Sequence, residues 1–96
     1  MVLLIKTTAI PASLTGYLSR YLLELESGLF AGTVSRRLAD HLWRQVERYS
    51  AEGHAVGVFS GGNELGFTLR THNHPTLDIR DFDGLPLPVI KPGQTS

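Results

Sequence analysis

Ninety-six residues, 42% of them hydrophobic, make one small domain, and a chain this short buries a limited core when alone. Nine Lys and Arg balance nine Asp and Glu, which counts against a uniformly basic nucleic-acid binder and leaves the distribution of charge to decide. Zero cysteines exclude a disulfide framework and any thiolate metal site, and no window approaches the roughly 20 apolar residues needed to span a bilayer, so a cytoplasmic chain is expected.

Residues 2–7 are apolar and β-branched with one lysine, which predicts a strand buried on both faces. Pro11 stands where a first helical turn begins, since its missing N–H costs nothing there. Leu14, Leu18, Tyr21, Leu22 and Leu25 then form one apolar stripe, predicting a helix to about residue 27 with Gly28 as a left-handed stop. On such a helix Glu24 and Glu26 point about 200° apart and form no pair. Residues 29–31 allow only a short strand. Thr33 suits the N-cap of a second helix over residues 34–50, with a core stripe of Val34, Leu38, Leu42, Val46 and Tyr49. Trp43 faces away from that stripe, as an interface or second-layer packing residue. Residues 55–60 and 65–71 flank the turn residues Gly61-Gly62-Asn63 and read as a β-hairpin. Gly84, Pro86 and Pro88 interrupt residues 78–90, which predicts one or two short edge strands, because proline cannot donate to a central ladder. Residues 91–96 read as a flexible polar tail.

This order gives an α+β fold, a ferredoxin-like βαββαβ sandwich with extra short C-terminal strands, as a single domain over residues 1–90. The helices cover one face of the sheet. The other face needs cover, and a second copy of the chain is the simplest candidate, so a homodimer is expected.

Arg37, His41, Arg44 and Arg48 step by four, three and four along the second helix, a row of up to about 17 Å that can follow several phosphates without reading bases. The competing reading is a solvated face laced by Arg36–Asp40 and Asp40–Arg44 pairs. Arg70 and His72 share a face of the last long strand. His72 and His74 share one too if the strand continues, but no third ligand stands at a known metal spacing. Asp78, Asp81 and Asp83 invite the same question, although Asp83-Gly84 is ordinary turn chemistry. No serine sits in a Gly-x-Ser-x-Gly elbow, and Gly61-Gly62 lacks the Gly-Lys-Ser/Thr of a phosphate loop. These residues require no cofactor.

The stretch Tyr21-Leu22-Leu23-Glu24-Leu25-Glu26-Ser27-Gly28-Leu29-Phe30-Ala31-Gly32-Thr33-Val34-Ser35 resembles the WLLEvraGvyvGdvS segment of type I-E CRISPR-associated adaptation subunits, the second of the two core spacer-acquisition proteins. Leu42-Trp43, Glu52-Gly53, Glu64-Leu65-Gly66-Phe67 and Asp83-Gly84-Leu85 follow in the expected order, so the resemblance covers about residues 2–90. It implies a ferredoxin-like homodimer bridging two dimers of the CRISPR integrase, with double-stranded donor DNA laid across it. It also implies that C-terminal strands dock onto the neighbouring protomer and the integrase, which points to Leu85, Leu87, Val89 and Ile90.

The family is commonly described as metal-dependent endonucleases, which implies Mg²⁺ and an acid at the end of the first strand. The usual Thr-Glu-Asn-x-Pro corresponds here to Thr7-Thr8-Ala9-Ile10-Pro11. Thr8 replaces the acid, and a hydroxyl is no anionic ligand for a hard cation. The expected function is therefore a non-catalytic DNA-holding adapter, with a homodimeric metal-dependent endonuclease acting on RNA or double-stranded DNA as the alternative. The resemblance assigns phosphate contacts to Arg36 and Arg37. It places Ser13 and Thr15 at first-helix positions that are basic in relatives, where hydroxyls can bond phosphate but release no counterions. Arg70 and His72 complete the candidate set.

Overall fold

Val2–Thr8 form the first strand, β1, and its side chains alternate: Leu3, Ile5 and Thr7 are buried while Val2, Lys6 and Thr8 are exposed. Within one chain the strand is thus buried on one face, not two. The computed structural model describes residues 1–82 and 85–90, the side chains of 78–82 and 85–87 excepted. After β1 come α1 (Ala12–Leu18), β2 (Leu23–Glu26), β3 (Leu29–Thr33), α2 (Arg36–Tyr49), β4 (His54–Ser60), β5 (Phe67–His72), β6 (Leu77–Phe82) and β7 (Leu85–Ile90). The five-stranded sheet has the order β2-β3-β1-β4-β5, and every pairing in it is antiparallel. Its first four strands with α1 and α2 make the ferredoxin-like βαββαβ unit, and β5 extends that sheet by one hairpin. Neither helix is long and apolar enough to cross a membrane.

The first helix stops nine residues short of the expected end at about residue 27. The backbone N–H groups of Arg20 and Tyr21 donate to Tyr17 and Leu18, three residues back, and tighten the last turn. Residues 23–26 then extend because they pair with β3, a tertiary gain that overrides helix propensity. Leu22 packs where Gly32 has no side chain: a Cβ there would lie 2.9 Å from Leu22 Cδ2. The alternation Leu-Glu-Leu-Glu before Ser27-Gly28 was the sequence signal for this strand. Gly28 is left-handed as expected, at φ 80°, but it turns the β2–β3 hairpin instead of ending a helix.

Gly28 also lies tight against β1. Its carbonyl accepts from Thr7 N at 2.7 Å, and a Cβ on it would stand 2.6 Å from the Thr7 carbonyl oxygen. Gly28→Ala is expected to cost at least about 1–2 kcal/mol from the left-handed backbone alone. Thermal unfolding monitored by circular dichroism reads the loss.

The second helix begins two residues later than Thr33 capping would give. Val34 N donates to the Met1 carbonyl and the amino terminus donates to Val34 O, so the chain stays extended beside β1. Ser35 is the N-cap, its hydroxyl accepting from Leu38 N at 3.1 Å. The buried arc is Ala39, Leu42, Trp43 and Val46, rotated toward Trp43 relative to the expected stripe. Tyr49, expected in the core, is 51% exposed. Trp43, expected to face away, is 2% exposed and lies over Gly57, with its ring edge-on to Phe59 at 5.8 Å.

The core lies between the helices and one sheet face, built from Leu3, Ile5, Leu14, Leu18, Phe30, Leu42, Trp43, Val46 and Phe59 among others. Register places Val2, Leu4, Ala31, Val56, Val58, Phe67 and Leu69 on the opposite face. The C-terminal strands do not join the edge of the main sheet. β6 and β7 pair with each other as a separate antiparallel hairpin that lies against β5. Pro86 and Pro88 fit there because a two-stranded ribbon leaves every other N–H unpaired. The expected tail, residues 91–96, lies outside the described residues.

Candidate nucleic-acid interface

The end of β1, the start of α1 and the β2–β3 turn enclose a cavity of about 320 Å³ walled by Lys6, Thr7, Thr8, Thr15, Glu24, Ser27 and Gly28, among others. Thr8, where the resemblance implies an acid, is exposed on this wall. The one carboxylate in the lining is Glu24, and its Oε2 accepts from Gly28 N at 3.0 Å, closing the turn. Lys6 reaches across from β1 and donates to the Ser27 carbonyl at 3.2 Å. One occupied carboxylate beside an ammonium and four hydroxyl side chains does not fit Mg²⁺, which is held through carboxylates and water. Glu24 lies on β2, so the helical geometry expected for it does not apply.

Among the described residues, no three His, Cys, Asp or Glu side chains gather to hold a metal ion. His72 ends β5 and Asn73 turns left-handed at φ 52°, so strand alternation does not carry on to His74. The His74 Nδ1 accepts from the backbone N–H of Thr76 and Leu77 at 3.2 and 3.0 Å, and its ring meets His54 edge-on at 5.0 Å. The side chains of Asp78, Asp81 and Asp83 lie outside the described residues, as do those of Leu85 and Leu87.

The basic residues divide by what they touch. Arg70 donates to Asp40 at 3.3 Å and lies 4.6 Å over the Phe59 ring, so part of its reach is committed to joining β5 to α2. That is the single ion pair among the described residues, and the expected Arg36–Asp40 and Asp40–Arg44 side-chain pairs do not form. Arg44 instead turns its Nε to the Asp40 carbonyl, a marginal 3.5 Å contact. Arg36, Arg37, Arg44 and Arg48 are exposed, and no acid among the described residues pairs with them.

The two helices run antiparallel in the groove between them. Tyr17 Oη and His41 Nε2 are hydrogen-bonded at 2.9 Å, whereas Ser13 shares a depression with Gln45 and Tyr49. The candidate phosphate residues are therefore split: Ser13 lies near the C-terminal end of α2, and Arg36 and Arg37 lie at its N-terminal end. Thr15 faces the strand-end cavity, and Arg70 and His72 stand on β5. Desolvation, then the neighbouring Tyr21, push the Tyr17 phenol above its ordinary pKa, so it keeps its proton at neutral pH. Sequence reading missed Lys6 and Glu24 in the cavity and the Tyr17–His41 link, since all three depend on contacts between distant segments.

Residues 1–87 match the family described as CRISPR-associated protein (Cas_Cas2CT1978). The match covers β1 through β6, both helices and the lining of the strand-end cavity. The chain belongs to this family of CRISPR-associated proteins.

Proposed function

We propose that this protein is a non-catalytic adapter that holds double-stranded donor DNA for the CRISPR integrase and bridges two integrase dimers as a homodimer. The observation that carries the reading is the pairing of a strand-end cavity unsuited to a divalent cation with arginines on α2 that no acid among the described residues pairs with. Such arginines can position a duplex through its backbone, and sequence information is not needed for that task. The apolar sheet face opposite the helices supports the homodimer. Docking onto the integrase and the neighbouring protomer falls to β7, through Leu85, Leu87, Val89 and Ile90, where Ile90 is 65% exposed. Contacts to phosphate fall to Arg36, Arg37, Ser13, Thr15, Arg70 and His72.

Charge reversal at Arg36 and Arg37 is expected to weaken retention of donor duplex by the protein–integrase complex. The logarithmic salt slope should fall by about 2, because each phosphate contact contributes about 0.9. Filter binding across a salt series measures both, and unchanged retention and slope remove the phosphate role. Removing residues 77–96 should abolish co-elution with the integrase, and a complex that forms equally well without them removes the docking role. The endonuclease alternative requires donor cleavage by the isolated dimer with Mg²⁺ or Mn²⁺, lost on mutating an acid such as Asp78 or Asp81.

A further inference from the structure

The outward face of α2 carries more donors than the expected phosphate set uses. Arg37, His41, Arg44 and Arg48 lie within about 60° of one another around the helix and opposite its buried arc. His41, Arg44, Gln45 and Arg48 line a depression of about 430 Å³. Gln45 is also a wall of the adjoining depression of about 330 Å³ with Ser13, Leu14, Tyr17 and Tyr49. The two form one groove along the helical layer, and the Tyr17–His41 hydrogen bond crosses it midway. The Arg48 guanidinium rests 5.7 Å from the Tyr49 ring centroid, a stacking contact that limits its freedom before any ligand arrives.

No acid among the described residues forms an ion pair with this row. Asp40 is engaged by Arg70 on the flank toward β5, and Glu47 stands about 60° round the helix from Arg44. We propose that the groove is a track for a nucleic-acid backbone, with His41, Arg44, Gln45 and Arg48 donating to successive phosphates, and that it joins the Arg36–Arg37 end of the helical layer to the Ser13 end. This rests on the DNA-holding reading above and extends its phosphate contacts from Arg36 and Arg37 to the rest of the outward face of α2. The row from Arg37 to Arg48 is about 17 Å long by helical rise, the axial length of about five base pairs at 3.4 Å each.

A nucleic acid fits better than an acidic protein surface. The depression lined by His41, Arg44, Gln45 and Arg48 holds no aliphatic side chain, whereas a stable protein interface needs an apolar centre. Arg37, His41, Arg44 and Arg48 also recur every three or four residues along one line, about 4.5–6 Å apart by helical rise, and a polyanion offers a matching series of charges. Net charge is zero over the whole chain, so binding depends on this segregation of cations to one face.

The test is fluorescence anisotropy of a labelled 30-base-pair duplex with the full-length protein across a salt series, comparing wild type, Arg44→Glu/Arg48→Glu and Arg36→Glu/Arg37→Glu. Both substituted pairs are solvent-exposed, and circular dichroism checks that the fold is kept. The Arg44/Arg48 variant is expected to bind at least about 10-fold more weakly at low salt, with a slope reduced by about 2. Arg44→Gln/Arg48→Gln should fall between it and wild type. Unchanged affinity and slope in the Arg44/Arg48 variant, with loss in the Arg36/Arg37 variant, overturn the track and leave the adapter reading standing. A variant that keeps DNA affinity but no longer co-elutes with the integrase also overturns it, assigning the row to a protein partner. Absence of duplex binding by the wild type, alone and with the integrase, removes the adapter reading and the track together.

Discussion

Trp43→Ala is expected to destabilise the fold by about 3–5 kcal/mol, the largest effect of any single truncation in this core. Trp43 is buried to 2% exposure and fills the space left by Gly57, where a Cβ would come within 2.8 Å of the indole. Its ring meets Phe59 at 5.8 Å and 83°, an edge-to-face pair worth about 0.5–1.5 kcal/mol beyond area burial. Phe59 in turn lies beneath Arg70, and Arg70 is bound to Asp40 on the same helix as Trp43. The indole therefore sits inside a closed circuit that fixes α2 to β4 and β5. A domain of this size is stable by only about 5–14 kcal/mol, so the substitution removes about a fifth of the total or more. Calorimetry should show the midpoint fall by more than about 12 °C, at roughly 4–8 °C per kcal/mol for 60–100 residues. Tyr49→Ala, at a half-exposed position on the same helix, should cost far less. Equal losses at the two positions would contradict the assignment of Trp43 to the core.

Leu4→Arg should abolish the proposed homodimer while the chain still folds. Leu4 sits on the central strand, paired with Ala31 on one side and Val58 on the other, in the middle of the sheet face opposite the helices. In one chain it is only half-buried, so an arginine there can extend into water. Between two such faces the same guanidinium would be desolvated without a partner, at about 3–5 kcal/mol. That corresponds to a dissociation constant raised by roughly 10²–10⁴. Sedimentation equilibrium with circular dichroism separates the outcomes. A variant that stays dimeric, with its affinity unchanged, would place the interface elsewhere.

Much of the fold was legible because the patterns were local. The apolar β-branched run of β1, the periodic apolar residues of α2 and the Gly61-Gly62-Asn63 turn each identify an element within a few residues. The first helix was overextended because Leu22 and Leu25 fit a helical stripe and an extended strand equally well, and pairing with β3 decides between them. Trp43 was misplaced for a related reason. A stripe drawn through Val34 and Tyr49 ignores that α2 starts at Arg36 and lies rotated on the sheet, so Ala39 and Trp43 face inward. The missing strand-end acid at Thr8 was readable from the sequence, since it is a matter of residue type. The surroundings of Thr8 were not, because Lys6, Glu24 and Ser27 meet only after the β2–β3 hairpin folds against β1. Arg70 looked free for DNA until its partner Asp40, 30 residues away, was brought alongside.

The most direct test of holding without cutting is a reconstituted strand-transfer assay, following end-labelled donor duplex with the cognate integrase in the presence and absence of this protein. Transfer of intact donor into the target only when the protein is present is the predicted result. Donor cleaved by this protein with Mg²⁺ or Mn²⁺ before any transfer, or transfer equally efficient without it, would contradict the adapter function.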